Sequence, residues 1–367
     1  MNSVFTIPEL VYTILALPVV FSILSAMNIG SNTVLHWLNR LTATAVAVAA
    51  AQLLLSFDPA EPAAFGYFYL DALSLWMLLI VTVLYLAFAW TSKAYLDRDT
   101  NIRYGYLRRF GRLEGRFYAL SHLFVWTMML VVLVDNLGLM WVAIEATTLV
   151  SALLVAFKFT KTSLEAAWKY VMVCTVGICL ALLGTILLYY AQILALGGAQ
   201  ALDSQYLAAN GSALNPALAK VAFCFLFVGY GTKVGLAPMH AWLPDAHSEA
   251  PALTSGLLSG ALCICAIYVL LRNVIIIMPA VGMDFISSLF LFFGLLTIIT
   301  FIDADTMEIP FVLNVCILVL GVISIFTRGG FSLTGGDLSL VSRLIGMLCV
   351  SLPLFLIVLV IPDGFGG

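Results

Sequence analysis

The sequence predicts an all-α integral membrane protein with about eleven transmembrane helices. Three observations carry that prediction. The 367 residues are 63% apolar and only 10% charged, against about 45–50% and about 25% in ordinary soluble domains. The mean hydropathy is +1.10. The apolar residues fall in blocks of about 20, the length a helix needs to cross a hydrocarbon core of about 30 Å. Short alternating strands of the kind that build a membrane barrel are not evident. A water-soluble globule and a disordered tail are excluded. So is a nucleic-acid binder, which needs clustered surplus positive charge, whereas the formal net charge here is only −3.

Taken in order, the spans fall at roughly 7–27, 37–57, 69–93, 117–135, 137–158, 166–192, 216–236, 252–272, 283–303, 309–327 and 339–361. The first does not read as a secretory signal, because no Lys or Arg precedes it and no small-residue cleavage site follows. The basic residues set the orientation. Lys93, Arg98, Arg103, Arg108, Arg109, Arg112 and Arg116 follow the third span; Lys158, Lys161 and Lys169 follow the fifth; Arg40 follows the first. With alternating spans these lie on one side, which is then cytoplasmic. The expected location is the inner (cytoplasmic) membrane, with the N-terminus outside and the C-terminus inside. The opposite loops are acidic or neutral, as at Asp58 and Glu61.

Seven cysteines, Cys174, Cys179, Cys224, Cys263, Cys265, Cys316 and Cys349, sit inside apolar stretches. They read as small buried hydrophobes, and no pair stands at metal-ligand spacing.

Charge at bilayer depth is costly and usually faces a bundle interior or a water-filled path. Glu145 lies near the middle of the fifth span. Lys233 lies in the seventh, where Gly229, Gly231, Gly235 and Pro238 predict a broken helix. One Glu and one Lys on neighbouring helices are the minimum equipment of a proton relay, since a buried Lys readily shifts its proton affinity. A static ion pair pinning two helices is the alternative. Asp71, at the mouth of the third span, reads as a helix cap. His122 reads as a satisfied polar group or an accessory proton carrier. Arg272 and Arg343, near span ends, are expected to snorkel.

The loop after the seventh span, Pro238-Met239-His240-Ala241-Trp242-Leu243-Pro244-Asp245-Ala246-His247-Ser248-Glu249-Ala250-Pro251, gathers two His and two carboxylates at the expected cytoplasmic mouth. Histidine titrates in the physiological range, which suits a hand-over point for protons. His240, Asp245 and Lys169 are accessory candidates beside His247. As a metal site the loop is poor, with zinc-type spacings missing. No Gly-rich phosphate loop, haem-attachment sequence or Ser/His/Asp arrangement is visible, so no catalytic residue, cofactor or metal is expected.

The stretch GTKVGLAPMHAWLPDAHSEAPALTSGLLSG (231–260) resembles the signature of the proton-conducting, antiporter-like membrane subunits shared by respiratory complex I, Mrp-type antiporters and membrane-bound hydrogenases. The stretches DNLGLMWVAIEATTLVSALLVAF (135–157) and EAAWKYVMVCTVGICLALLGTILLYY (165–190) look most like the hydrogenase-4 component F type. The resemblance implies two inverted five-helix repeats, and a half-channel built on the glutamate and lysine that match Glu145 and Lys233. His247 matches the family's His at the end of the Pro-Asp-Ala-His segment. It implies an antiporter-like fold with a discontinuous seventh helix, divided into an N-terminal three-helix segment (1–116), a first repeat carrying the half-channel (117–275) and a divergent, shortened second repeat (276–367). There are departures from the family pattern. Ile264 stands where many relatives carry an eighth-helix lysine. Asp303-Ala304-Asp305-Thr306-Met307-Glu308 lacks the usual basic residues. Met347 and Ser351 stand where a later broken helix carries His and Lys.

The implied function is a proton-translocating subunit of a hydrogenase- or NADH-dehydrogenase-like complex. Its partners would be other membrane subunits, a peripheral redox module and the lipid bilayer, with no nucleic acid. A non-pumping structural subunit, and a Mrp-like cation/proton antiporter component, are the alternatives.

Overall fold

The computed structural model describes residues 6–27, 32–102, 113–197 and 202–306. Lipid offers nothing for an open amide to bond, so each spanning segment must satisfy its backbone internally and becomes a helix. In chain order these are α1 (Ile7–Ala26), α2 (Asn32–Ser56), α3 (Ala72–Ile102), α4 (Leu113–Leu133), α5 (Leu137–Val155), α6 (Lys161–Leu196), the short α7 (Ser204–Ala209), α8 (Pro216–Val234), the short α9 (Leu243–Glu249) and α10 (Ala252–Leu257), α11 (Cys263–Val281) and α12 (Met283–Thr306). A π turn at Leu258–Leu262 joins α10 to α11, and a small hairpin of β1 (Ala63–Phe65) and β2 (Phe68–Leu70) precedes α3. The chain divides into two units, Met1–Phe290 and Leu291–Gly367; everything below concerns the first.

Eight helical segments among the described residues are long and apolar enough to cross a membrane, and they coincide with the first eight expected spans. The ninth expected span falls on α12, and the tenth and eleventh lie outside the described residues, as do Arg343, Cys316 and Cys349. Several helices run past the apolar blocks. α6 begins five residues earlier than expected, at Lys161, because the Thr160 hydroxyl accepts from the Ser163 amide at 3.0 Å, and it ends at Gly197, whose φ is +75°. Hydropathy measures the hydrocarbon thickness, whereas a helix continues until a cap satisfies its end. The seventh span is discontinuous, as expected. α8 stops at Gly235, with φ +89°, and the chain turns through Pro238 and Trp242 before α9.

α6 and α8 press together through glycine. A Cβ on Gly229 would lie 2.5 Å from the Ala181 nitrogen, and one on Gly177 would lie 2.6 Å from Thr232 Cβ. Small residues permit this backbone approach, which gains dispersion where lipid gives no hydrophobic drive. The outer faces are apolar: Leu149 and Leu153 are each 57% exposed and Trp168 is 66% exposed. That inversion corrects the reading of the cysteines. Cys174 and Cys265 are buried, but Cys179 and Cys224 are exposed, because an apolar side chain in a membrane protein serves equally well facing outward.

Arg272 also departs from expectation. It is 6% exposed and does not snorkel. Its Nη1 and Nη2 donate to the two carboxylate oxygens of Asp71 at 2.6 and 2.5 Å, and Nε donates to the Tyr268 hydroxyl at 2.9 Å. Snorkelling requires a route to water; here a carboxylate is nearer. Asp71 is the expected cap as well, accepting from the Ser74 amide at 2.8 Å. One residue thus anchors the start of α3 and the middle of α11.

Two outcomes follow from this packing. Gly229→Leu should lower stability by about 1–3 kcal/mol through overpacking, read as a fall in unfolding temperature; an unchanged temperature contradicts the glycine contact. Burial pushes the Asp71 carboxyl up, but Arg272 and Ser74 outweigh it and hold the group below its ordinary value. A carboxylate depressed in the folded state stabilises at pH above its unfolded value of about 3.9 and loses that contribution as pH falls further. Asp71→Asn should cost about 3–5 kcal/mol at neutral pH by leaving Arg272 unpaired, and should blunt the acid loss seen below about pH 4. Parallel pH profiles for the two proteins would refute this.

Candidate functional site

Lys233 stands in the last turn of α8, where the helix dipole favours a cation. Its side chain is completely buried. The ammonium donates to Thr148 Oγ1 at 2.8 Å and to the Tyr170 hydroxyl at 2.6 Å, and lies 4.8 Å from the centre of the Tyr170 ring. The α6–α8 contact puts Tyr170 there. Behind it the Trp242 ring packs at 4.8 Å, with its Nε1 donating to the Thr232 carbonyl at 2.8 Å. The loop that follows the broken helix therefore closes over the lysine from below.

Glu145, on α5, is partly buried. Its Oε2 accepts from the Thr148 hydroxyl at 3.4 Å and its Oε1 from the Thr175 hydroxyl at 3.3 Å. The glutamate and lysine thus make no direct ion pair: the Thr148 hydroxyl lies between them. This is the outcome for the static-pair alternative, and the reason is helical spacing, since Thr148 sits one turn beyond Glu145 on the same face. On the far side of Lys233 the Tyr170 hydroxyl shares a hydrogen bond with Ser151 Oγ at 2.7 Å, and Ser151 donates to the Thr147 carbonyl at 2.6 Å. The resulting line, Glu145–Thr148–Lys233–Tyr170–Ser151, places one amine between two hydroxyls. Each hydroxyl both accepts and donates, so the amine is satisfied charged, as donor to both, or neutral, with a lone pair facing either.

The remaining expected residues fall elsewhere. Lys169, exposed at the start of α6, bridges Glu165 at 2.8 Å and Asp245 at 3.1 Å, which ties α9 to α6. His247 is partly buried and its Nδ1 bonds Ser255 Oγ at 2.8 Å; no hydrogen bond among the described residues joins it to the lysine line. His240 is partly buried in the turn before α9. His122 is fully buried and bonded, on α4, in a separate group. Thr148, Tyr170, Ser151 and Thr175 were not singled out from the sequence. A signal existed for two of them: hydroxyls at 148 and 151 share a face with Glu145 in an otherwise apolar span. The π turn at Leu258–Leu262 leads into Cys263 at the start of α11.

A family model described as NADH:quinone oxidoreductase/Mrp antiporter, TM, matches residues 134–302, a range that includes Glu145, Lys233 and His247. The hydrogenase-4 component F homolog of Methylacidiphilum infernorum is 36% identical over 255 residues, which is 68% of this chain and 51% of that relative. The chain therefore spans about half the length of that relative. Among solved structures, an archaeal membrane-bound sulfane sulfur reductase chain is similar in fold, with a TM-score of 0.65 and 19% identity over 79% of this chain and 58% of the other. A chain of respiratory complex I from Thermus thermophilus gives 0.54 and 28% identity, covering 71% of this chain and 52% of that one.

His247 lies outside the spanning helices, and burial lowers its proton affinity, so its ring is neutral at neutral pH. A histidine depressed in the folded state contributes stability above its unfolded value of about 6.5 and loses it as pH falls through that range. Unfolding temperatures followed between about pH 5 and 8 should decline on acidification in the native protein and decline less in His247→Gln. Equal declines would show that the His247–Ser255 contact is not what titrates.

Proposed function

The chain belongs, over residues 134–302, to the NADH:quinone oxidoreductase/Mrp antiporter transmembrane family, and on that premise we propose that it is a proton-translocating membrane subunit of a hydrogenase- or complex I-like assembly. The observation that carries the proposal is the buried Lys233, held by two hydroxyls and linked to Glu145 through Thr148. A purely structural lysine would be matched to a carboxylate, because an uncompensated buried charge costs several kcal/mol. An amine between hydroxyls can give up or take up a proton without orphaning a partner.

In this reading the Lys233 proton leaves toward Thr148 and Glu145 or toward Tyr170 and Ser151, depending on which side is more negative. A peripheral redox module in partner subunits would bias that choice by moving charge near one end of the line. His247, at the expected cytoplasmic mouth beside the Lys169–Asp245 bridge, would pass protons in by way of water. Residues 117–275 would be the first repeat and 276–367 a shortened second one. The assembly would lie in the inner membrane, with the N-terminus outside and the C-terminus inside.

In the assembled complex, Glu145→Gln and Lys233→Ala should abolish redox-driven proton movement, measured as acidification of inside-out vesicles, while complex assembly is retained. Thr148→Val should slow it at least about tenfold, by analogy with loss of a proton-transfer partner. Unchanged pumping in Lys233→Ala would leave the chain a packing subunit instead, and a sodium requirement would point to cation/proton exchange.

A further inference from the structure

A second buried polar group, sharing no residue with the Lys233 line, runs between α2, α3 and α4. Its geometry fixes the direction of each bond at one end. The Ala89 carbonyl can only accept, so the Asn39 amide nitrogen, 2.9 Å away, must face it, and Asn39 Oδ1 faces His122. His122 Nε2, 2.8 Å from that oxygen, therefore carries its hydrogen. Its Nδ1 is left to accept from the Tyr85 hydroxyl at 2.6 Å. The ring is completely buried and packs on Phe21 at 4.3 Å. Every position on His122 is filled by a neutral partner, so this end has no place for another proton.

The other end is different. Ser92 Oγ donates to the Ala89 carbonyl and accepts from Asn39 Nδ2, both at 2.9 Å, so the Tyr118 hydroxyl, 3.3 Å away, donates to it. Tyr118 then accepts from His36 Nδ1 at 2.7 Å. The second ring nitrogen, Nε2, lies 3.4 Å from Glu114 Oε2, with the two side chains only 7% and 16% exposed. With a proton on each nitrogen, His36 is an imidazolium donating to Tyr118 and facing the Glu114 carboxylate. When one proton leaves to water, the ring keeps the Nε2 hydrogen against Glu114, and the Tyr118 hydroxyl rotates from Ser92 to donate to Nδ1. Both states keep Nδ1 hydrogen-bonded to the Tyr118 hydroxyl and an Nε2 hydrogen facing Glu114, and the hydroxyl alone reorients.

We propose that His36 and Glu114 form a second proton-binding site of this protein, at the end of the bundle where α2 and α4 begin, with Tyr118 as the hydroxyl that turns when the proton comes or goes. The other charged groups facing His36 are Asp97 and Lys93 of α3 and Arg40 of α2 itself. From α1, Ser25 and Ser22 donate to the Gly115 and Ala119 carbonyls of α4 at 2.8 Å, and Phe21 packs on the Tyr118 ring at 6.4 Å. The site therefore has one acid of its own and a surrounding field of mixed sign. It requires nothing of the Lys233 line, and its test does not depend on pumping.

The full chain, purified in lipid nanodiscs with ¹⁵N-labelled histidine, contains four histidines: His36, His122, His240 and His247. Nitrogen NMR between about pH 5 and 9 brackets the histidine range. It should show His36 passing from imidazolium to the neutral form with hydrogen on Nε2, while His122 stays neutral with hydrogen on Nε2 throughout. The step should be absent in His36→Gln and displaced by about one pH unit in Glu114→Gln, as expected for loss of an opposite charge at this distance. If Glu114→Gln does not fold, Tyr118→Phe serves in its place and should leave the step present but displaced, since the hydroxyl partner of both states is lost. A His36 ring that keeps one protonation state over the whole range overturns the proposal, and so does a step unmoved by the folded variant.

Discussion

The close contact of α6 with α8 is the constraint on which the rest of the site depends. Gly177, Thr232, Ala181 and Gly229 bring the two backbones within reach of each other, and that approach alone sets Tyr170 against the Lys233 ammonium. Moving α6 outward by one side-chain layer would leave the buried amine with a single hydroxyl partner. It would also separate Trp242 from both the Tyr170 ring and the Thr232 carbonyl. In a bilayer the hydrophobic effect does not drive helices together, so glycine contact and buried hydrogen bonds carry the organisation between them.

The polar interior is consequently partitioned. Lys233 with Glu145 is one group, His36 through His122 a second, and Asp71 with Arg272 a third. Each group has its own set of partners, and the rings of Phe88 and Phe117 pack together between α3 and α4 at 5.9 Å. The three differ in what they permit. Asp71 and Arg272 are a bidentate pair of opposite charges. The two lysine- and histidine-centred groups contain hydroxyls that accept as readily as they donate, and that difference makes them suited to exchanging protons.

Much of this was legible from residue type. The first eight spans, their order, the break after Lys233 and the isolation of Glu145 and Lys233 all follow from the expense of polarity and charge in hydrocarbon. Other features were not legible. Arg272 near a span end looked free to reach water, and only the position of Asp71, 201 residues earlier, decides otherwise. Cys179 and Cys224 looked buried, but an apolar run does not tell which helix face meets lipid. His247 is expected at the mouth as a hand-over point, and only the fold decides that its ring bonds Ser255.

By itself the sequence determined that this chain lives in a membrane, where its first eight spans lie and which two charged residues have no business at that depth. These are properties of single residues or of short runs, set by the free energy of transfer into lipid. Tertiary structure decided that the two charges meet through a hydroxyl, that Tyr170 supplies the second bond, and that His36 Nε2 lies 3.4 Å from Glu114 Oε2. Lys233 and Thr148 are 85 residues apart, and His36 and Tyr118 are 82 apart. A hydrogen bond is a matter of about 3 Å, and distances of that order between remote positions are fixed only when the helices have packed.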